Sequence, residues 1–280
     1  MKGHCGIIGI LNVTPDSFSD GGSFFDCQKA IAHAEKLFEE GADWVDIGGQ
    51  STRPDAPNIS PQEEWKRVKP VLEALLPKYS EIISLDTLHP QTAEKFLHLG
   101  GQILNDVSGF QDPQMRELAP EFKKIIVNHF PGKNTEEVHK HSFLNSQEKV
   151  RDDLLARKEE LVRAGVHPKS ILLDPGIGFG KTPKLNWELL TFPQLLPDES
   201  IVIGHSRKRF LGEQRFEISR NLEAARVAIQ SGVAFLRVHD VSAHRSLFGK
   251  GFQHFWEEME HVFSCKGFLH TKKTISALSP

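Results

Sequence analysis

Residues 81–106 read EIISLDTLHPQTAEKFLHLGGQILND. Two short apolar runs, EIISLD (81–86) and GQILND (101–106), flank a segment with helical patterning, QTAEKFLHLG (91–100), that stops at a glycine. The runs are continuous rather than alternating, as in strands covered on both faces. A helix between two such strands is the crossover that a parallel pair requires.

The same unit recurs along the chain. Further strand-like runs are GIIGIL (6–11), ADWVDIG (42–48), KKIIVNH (123–129), SILLD (170–174), SIVIG (200–204) and VAFLRV (233–238). Helical patterns lie at 30–42, 61–76, 150–165, 219–232 and 246–263. Pro70 is expected to kink the second of these, and a serine is expected to cap the one beginning at Ser219. DPQMRELAPEFK (112–123) has room for a short helix only. Eight strands alternating with eight helical links predict an α/β protein, a single-domain (β/α)8 TIM barrel over residues 1–265. A doubly wound open sheet shares this alternation, and strand count alone does not exclude it. Residues 266–280 are basic, lack periodicity and are expected to be a loosely held tail.

Composition narrows the functional classes. The 280 residues are 25% charged and 39% hydrophobic, an ordinary globular balance. A net charge of −3 gives no basic field for nucleic acid. No apolar stretch reaches the roughly 20 residues of a membrane span. The 3 cysteines are widely separated, which argues against a disulfide framework and for a cytoplasmic protein with reduced thiols. The close pair His139 and His141 reads as a solvated helix start or loop rather than a metal site.

In a barrel the functional face lies at the C-terminal ends of the strands. There the runs finish in Asn12, Asp46, Asp86, Asn105, Asn128–His129, Asp174, His205–Ser206 and Arg237–His239. Asp and Asn at such places commonly cap helices, but eight polar endings on one rim form a ring. Asp86, Asn105 and Asp174 suit a neutral heterocycle with adjacent N–H and NH2 donors, since a carboxylate accepts two parallel bonds. Thr52, Arg53, Lys208, Arg237 and His239 suit an anion such as phosphate. DPGIGFGKT (174–182) lacks both nucleotide-loop spacings and reads as a ledge that presents Phe179 as an apolar wall.

GIIGILNVTPDSFSDGG, DIGGQSTRPDA, SLDT, ILNDVSG, DPGIGFGKT, GHSRKRFLG and LRVHDV resemble, in order and spacing, the motifs of the dihydropteroate synthase family, from about Gly6 to Val241. The resemblance implies a (β/α)8 barrel that joins (7,8-dihydropterin-6-yl)methyl diphosphate to 4-aminobenzoate with Mg2+, a step blocked by sulfonamides. It implies diphosphate departure to a pterin-stabilised cation, with Asp86, Asp174, Lys208 and Arg237 as the catalytic set. By motif position, Asp86, Asn105, Asp174 and Lys208 would hold the pterin, and Asn128 would line its pocket. Asn12 would help ligate magnesium. Thr52, Arg237 and His239 would bind diphosphate, while Arg53, Pro54 and Phe179 would flank the aminobenzoate. The family is typically homodimeric. Gln50 stands where the family usually has Glu, Asn128 where it usually has Met, and Asp55 where Gly is common.

The loop NVTPDSFSDGG (12–22) is longer than the roughly 2–6 residues such links need. It reads as a lid, with Asp16 and Asp20 as acceptors and Asp20 expected to meet Arg53. Two other readings share the pterin carboxylates: a methyltetrahydrofolate–corrinoid methyltransferase, and a pterin binder without turnover.

Overall fold

The structure is a computed structural model that describes residues 5–14, 22–50, 58–132, 137–138 and 144–248. Strands and helices alternate as β1 (Gly6–Asn12), α1 (Gly22–Glu39), β2 (Trp44–Gly48), α2 (Pro61–Tyr79), β3 (Ile83–Asp86), α3 (Pro90–His98), β4 (Ile103–Asp106) and α4 (Pro113–Leu118). They continue as β5 (Lys124–Asn128), α5 (Gln147–Arg163), β6 (Ile171–Asp174), α6 (Pro183–Glu188), β7 (Val202–Ile203), α7 (Ile218–Gln230), β8 (Phe235–Val238) and α8 (Val241–Arg245). All seven ladders are parallel, and the order runs β6-β5-β4-β3-β2-β1-β8-β7. A parallel bridge between Leu173 and Ile201 brings β6 to β7. The sheet therefore curls into a nearly closed barrel, and the open-sheet alternative falls away.

Side chains alternate across each strand. Ile7, Val45, Ile83, Leu104, Ile125, Leu173 and Leu236 point outward into the large core shared with the helices. Their neighbours Ile8, Ile126, Leu172 and Val202 point to the axis and form a separate cluster, flanked by Trp44 and Phe235. The Trp44 and Phe235 rings stack 4.5 Å apart and help cover the floor. Two residues further along five of the strands, the axis-facing position turns polar: Trp44 gives way to Asp46, Ile103 to Asn105, Ile126 to Asn128, Leu172 to Asp174, and Phe235 to Arg237. An apolar floor and a polar mouth follow from this one switch.

The helices begin with simple chemistry. Ser60, Asp112 and Thr182 each accept a first-turn backbone N–H and precede a proline at the first helical position. Ser146 caps α5 in the same way. Two local expectations are corrected. Helix α2 runs unbroken through Pro70 and on through Pro77. Pro70 lies on its exposed face, so the carbonyl that loses its donor turns to water. The residue preceding α7 is Glu217, without a side-chain cap, and Ser219 lies inside the first turn. The expected helix at 246–263 is described only as far as a short turn at Ser246–Phe248; the remainder and the 266–280 tail lie outside the described residues.

The axial cluster is small and walled by strands on all sides, so it can relax little around a cavity. Ile126→Ala is expected to lower stability by about 2–5 kcal/mol. Urea denaturation checks this: the midpoint should fall with an unchanged m-value.

Candidate active site

Arg237 organises the barrel mouth. It is carried on β8, and its Nε donates to Asp46 Oδ2 on β2 at 2.7 Å. Its Nη2 donates to Asp86 Oδ2 on β3 at 2.6 Å. Asp46 Oδ2 also accepts from Asn105 Nδ2 on β4 at 2.8 Å, and Asn105 Oδ1 accepts from Asn128 Nδ2 on β5 at 2.9 Å. A single chain of hydrogen bonds thus links β8, β2, β4 and β5. Burial pushes the Asp86 carboxyl up to about 7, against the pull of Arg237 and with Asp46 adding to the rise.

The other side of the mouth is held by Asp174 and Lys208. Asp174 ends β6, and its Oδ1 accepts the Gly176 N–H at 2.7 Å. Burial raises its pKa, while the nearby Lys208 ammonium opposes the shift. Lys208 Nζ donates to the Ile177 carbonyl at 2.5 Å and lies 5.0 Å from the centre of the Phe179 ring. Burial brings its pKa down to about 8, with Asp174 limiting the fall. Phe179 packs with Val107, Phe130 and Val138 into a small apolar wall. Two glycines in left-handed backbone bring the neighbouring loops against the end of β5. A Cβ on Gly109 (φ 70°) would stand 2.2 Å from the Asn128 oxygen, and one on Gly176 (φ 65°) 2.1 Å from that of His129.

Asp86, Asn105, Asn128, Asp174, Phe179, Lys208 and Arg237 therefore surround one mouth, as the strand-end reading expects. Asn12 and His239 stand at the ends of β1 and β8. His239 Nδ1 lies 3.0 Å from Ser206 Oγ. Beyond His239 a separate cavity of about 480 Å3 opens against His33 and Lys36 of α1 and Arg207. Its cations are paired locally, Lys36 with Glu40 and Arg207 with Asp240. Asp16, Asp20, Thr52, Arg53, Pro54 and Asp55, with His139 and His141, lie outside the described residues.

Gln50 is buried at the edge of the site. Its Nε2 donates to Asn58 Oδ1 at 3.2 Å, and its Oε1 faces His89 Nε2 at 3.4 Å. Glu64, also buried, receives the Thr87 hydroxyl at 2.6 Å. Two residues gain importance that the strand-end pattern alone did not give them. Asp46 stood among the polar endings, but its pairing with Arg237 spans 191 positions and has no local signal. Lys181 was visible only as part of a glycine-rich motif.

The bracket around Arg237 has a measurable stability consequence. Arg237→Ala would leave Asp46 and Asp86 buried and facing each other, an expected loss of about 3–5 kcal/mol. Chemical denaturation of the purified variant measures this directly. An unchanged midpoint would mean that the bracket does not support the fold.

Comparisons with known proteins agree with this geometry. The pterin binding enzyme family matches residues 8–239. Dihydropteroate synthase of Neisseria meningitidis serogroup C is 42% identical over 252 residues, covering 85% of this chain and 88% of its own. Among solved structures, Xanthomonas albilineans dihydropteroate synthase with 4-aminobenzoic acid superposes with a TM-score of 0.79 at 32% identity, covering 92% of this chain and 94% of its own. The Anaplasma phagocytophilum dihydropteroate synthase with bound 6-hydroxymethylpterin-monophosphate gives 0.77 at 36% identity, covering 86% of this chain and 96% of its own. With these likenesses spanning the whole barrel and its mouth, the chain belongs to the dihydropteroate synthase family of pterin-binding enzymes.

Proposed function

We propose that this chain joins (7,8-dihydropterin-6-yl)methyl diphosphate to 4-aminobenzoate, forming 7,8-dihydropteroate and releasing diphosphate. The charges fixed at the mouth carry this reading. The carboxylates Asp46, Asp86 and Asp174 stand there with the cations Arg237 and Lys208. Carboxylates held in place in this way stabilise positive charge as it develops on a ligand, and the cations receive an anion.

The reaction follows from that arrangement. The bond between the pterin methylene and the diphosphate oxygen breaks, and its electron pair leaves with the diphosphate. Positive charge spreads from the methylene into the pterin ring, where Asp86 and Asp174 stabilise it without reorganising. The neutral arylamine nitrogen then bonds to the methylene and releases its proton to solvent. No side chain is assigned as a base. Asp174 and Asn105 accept from the pterin N–H and amino groups, and Asn128 lines the same pocket. Lys208 donates to the ring. Arg237 keeps Nε and Nη2 on Asp46 and Asp86, so diphosphate would reach it at Nη1, beside His239 and Thr52. Arg53, Pro54 and Phe179 would flank the aminobenzoate, and the loop bearing Asp16 and Asp20 would cover the rim.

The donor set fits magnesium that arrives with the diphosphate. Asn12 offers one neutral carboxamide oxygen, and among the described residues no three His, Cys, Asp or Glu side chains form a dedicated cage. Held there by Asn12, diphosphate oxygens and water, Mg2+ would neutralise charge on the departing group. Among the described residues no helix is long and apolar enough to cross a membrane. A cytoplasmic homodimer, open to sulfonamides at the aminobenzoate end, completes the proposal.

Incubating the purified protein with the pterin diphosphate, labelled 4-aminobenzoate and Mg2+ should yield labelled dihydropteroate and equimolar diphosphate. Pterin binding without product would leave a non-catalytic binder, and methyl transfer from methyltetrahydrofolate to a corrinoid would indicate the other branch. The pH profile adds a second check. Asp86 protonates below about 7 and Lys208 loses its proton above about 8. The kcat/KM for the pterin diphosphate should therefore peak between those values, and Asp86→Asn should remove the acid limb. A flat profile across that range would contradict these roles.

A further inference from the structure

Lys181 follows the glycine-rich segment and is 4% exposed. An ammonium has three N–H donors, and here each meets a backbone carbonyl: Gly176 at 2.8 Å, Phe179 at 3.0 Å and His129 at 3.2 Å. Gly176 and Phe179 belong to the loop after β6, whereas His129 directly follows β5. The lysine therefore ties one loop to the end of the neighbouring strand. Other contacts favour the same arrangement. The His129 N–H donates to the Asp174 carbonyl at 2.8 Å, and the Phe179 N–H to the Gly176 carbonyl at 3.1 Å. The Gly178 N–H donates to Asn186 Oδ1 at 2.7 Å.

The loop held in this way supports Lys208. Lys208 comes from the connection after β7, yet its ammonium rests on the Ile177 carbonyl and beside the Phe179 ring, both in the loop after β6. Gly178 lies between them, and a Cβ there would stand 3.4 Å from Lys208 Cδ. Lys208 thus owes its position to a loop that is not its own.

We propose that Lys181 is a positioning residue for pterin binding: its ammonium pins the loop after β6 to the end of β5 and, through Ile177 and Phe179, fixes where Lys208 stands. The inference rests on the pterin-site reading above. Losing the pin would let the loop move away and return Lys208 toward water. Pterin affinity would fall, and the protonation of Lys208, which faces Asp174, Asp86, Arg237 and the charge of Lys181 itself, would move back toward that of an ordinary lysine.

The test uses 6-hydroxymethylpterin as the probe, with calorimetric titrations across the pH range for wild type, Lys181→Met and Asp174→Ala. Lys181→Met has nearly the length of lysine and no donor. It should bind the probe at least about tenfold more weakly, the loss of one or more hydrogen bonds to a charged group. The alkaline limb of binding, which burial of the Lys208 ammonium holds below that of an ordinary lysine, should move upward. A folded Lys181→Met with wild-type affinity and an unmoved alkaline limb overturns the proposal. If Lys181→Met does not fold, Gly176→Ala, which presses on the same His129 carbonyl, is judged by the same two numbers. If the wild type fails to bind the probe, or Asp174→Ala binds it equally well, the reading of the pterin site falls instead.

Discussion

The mouth of this barrel depends on one guanidinium between two carboxylates. Burying a charge costs several kcal/mol unless partners and hydrogen bonds meet it. Arg237 meets two at once because β3, β2, β1 and β8 are consecutive in a sheet that curves about the barrel axis, which brings Asp46 and Asp86 within one side chain's reach. Asp46 passes the arrangement on by accepting a second hydrogen bond from Asn105, which in turn accepts from Asn128. Fixed dipoles and charges around the rim are therefore set before any ligand arrives, which is the condition for stabilising charge that appears only during a reaction.

The scaffold supports this layer from two directions. Beneath it, the axis-facing residues Ile8, Ile126, Leu172 and Val202 pack into an apolar plug. Beside it, the loops after β4 and β6 press their backbones against the carbonyls of Asn128 and His129, at positions where a side chain would collide. The end of β5 is thus gripped from both neighbours, and Asn128 has little freedom to turn. Asn128 directs its amide N–H inside the protein, to Asn105 Oδ1, and so extends the polar network.

The barrel was legible because its strands are short apolar runs and most of them close on or near a polar residue. Asp86, Asn105, Asp174 and Arg237 are the last or nearly last residues of their runs, so the same signal marked both the fold and the site. What pairs with what was not legible. The Arg237 contacts cross 191 and 151 positions, and only the closed sheet makes those residues neighbours. Lys181 was hidden for another reason: its three acceptors come from backbone that takes its place only once two loops have folded. Pro70 misled because the cost of a proline in a helix depends on which side it faces, a fact decided by tertiary packing.

The stacked rings of Trp44 and Phe235, packed with the aliphatic cluster, bear on access as well as on structure. Among the described residues they close the barrel axis below Asp174 and Asn105. On the proposed reading, a pterin seated against those two residues would enter before anything nearer the rim and leave after it. The floor would thereby set an order of arrival and departure, and a molecule lodged at the rim would detain the one below.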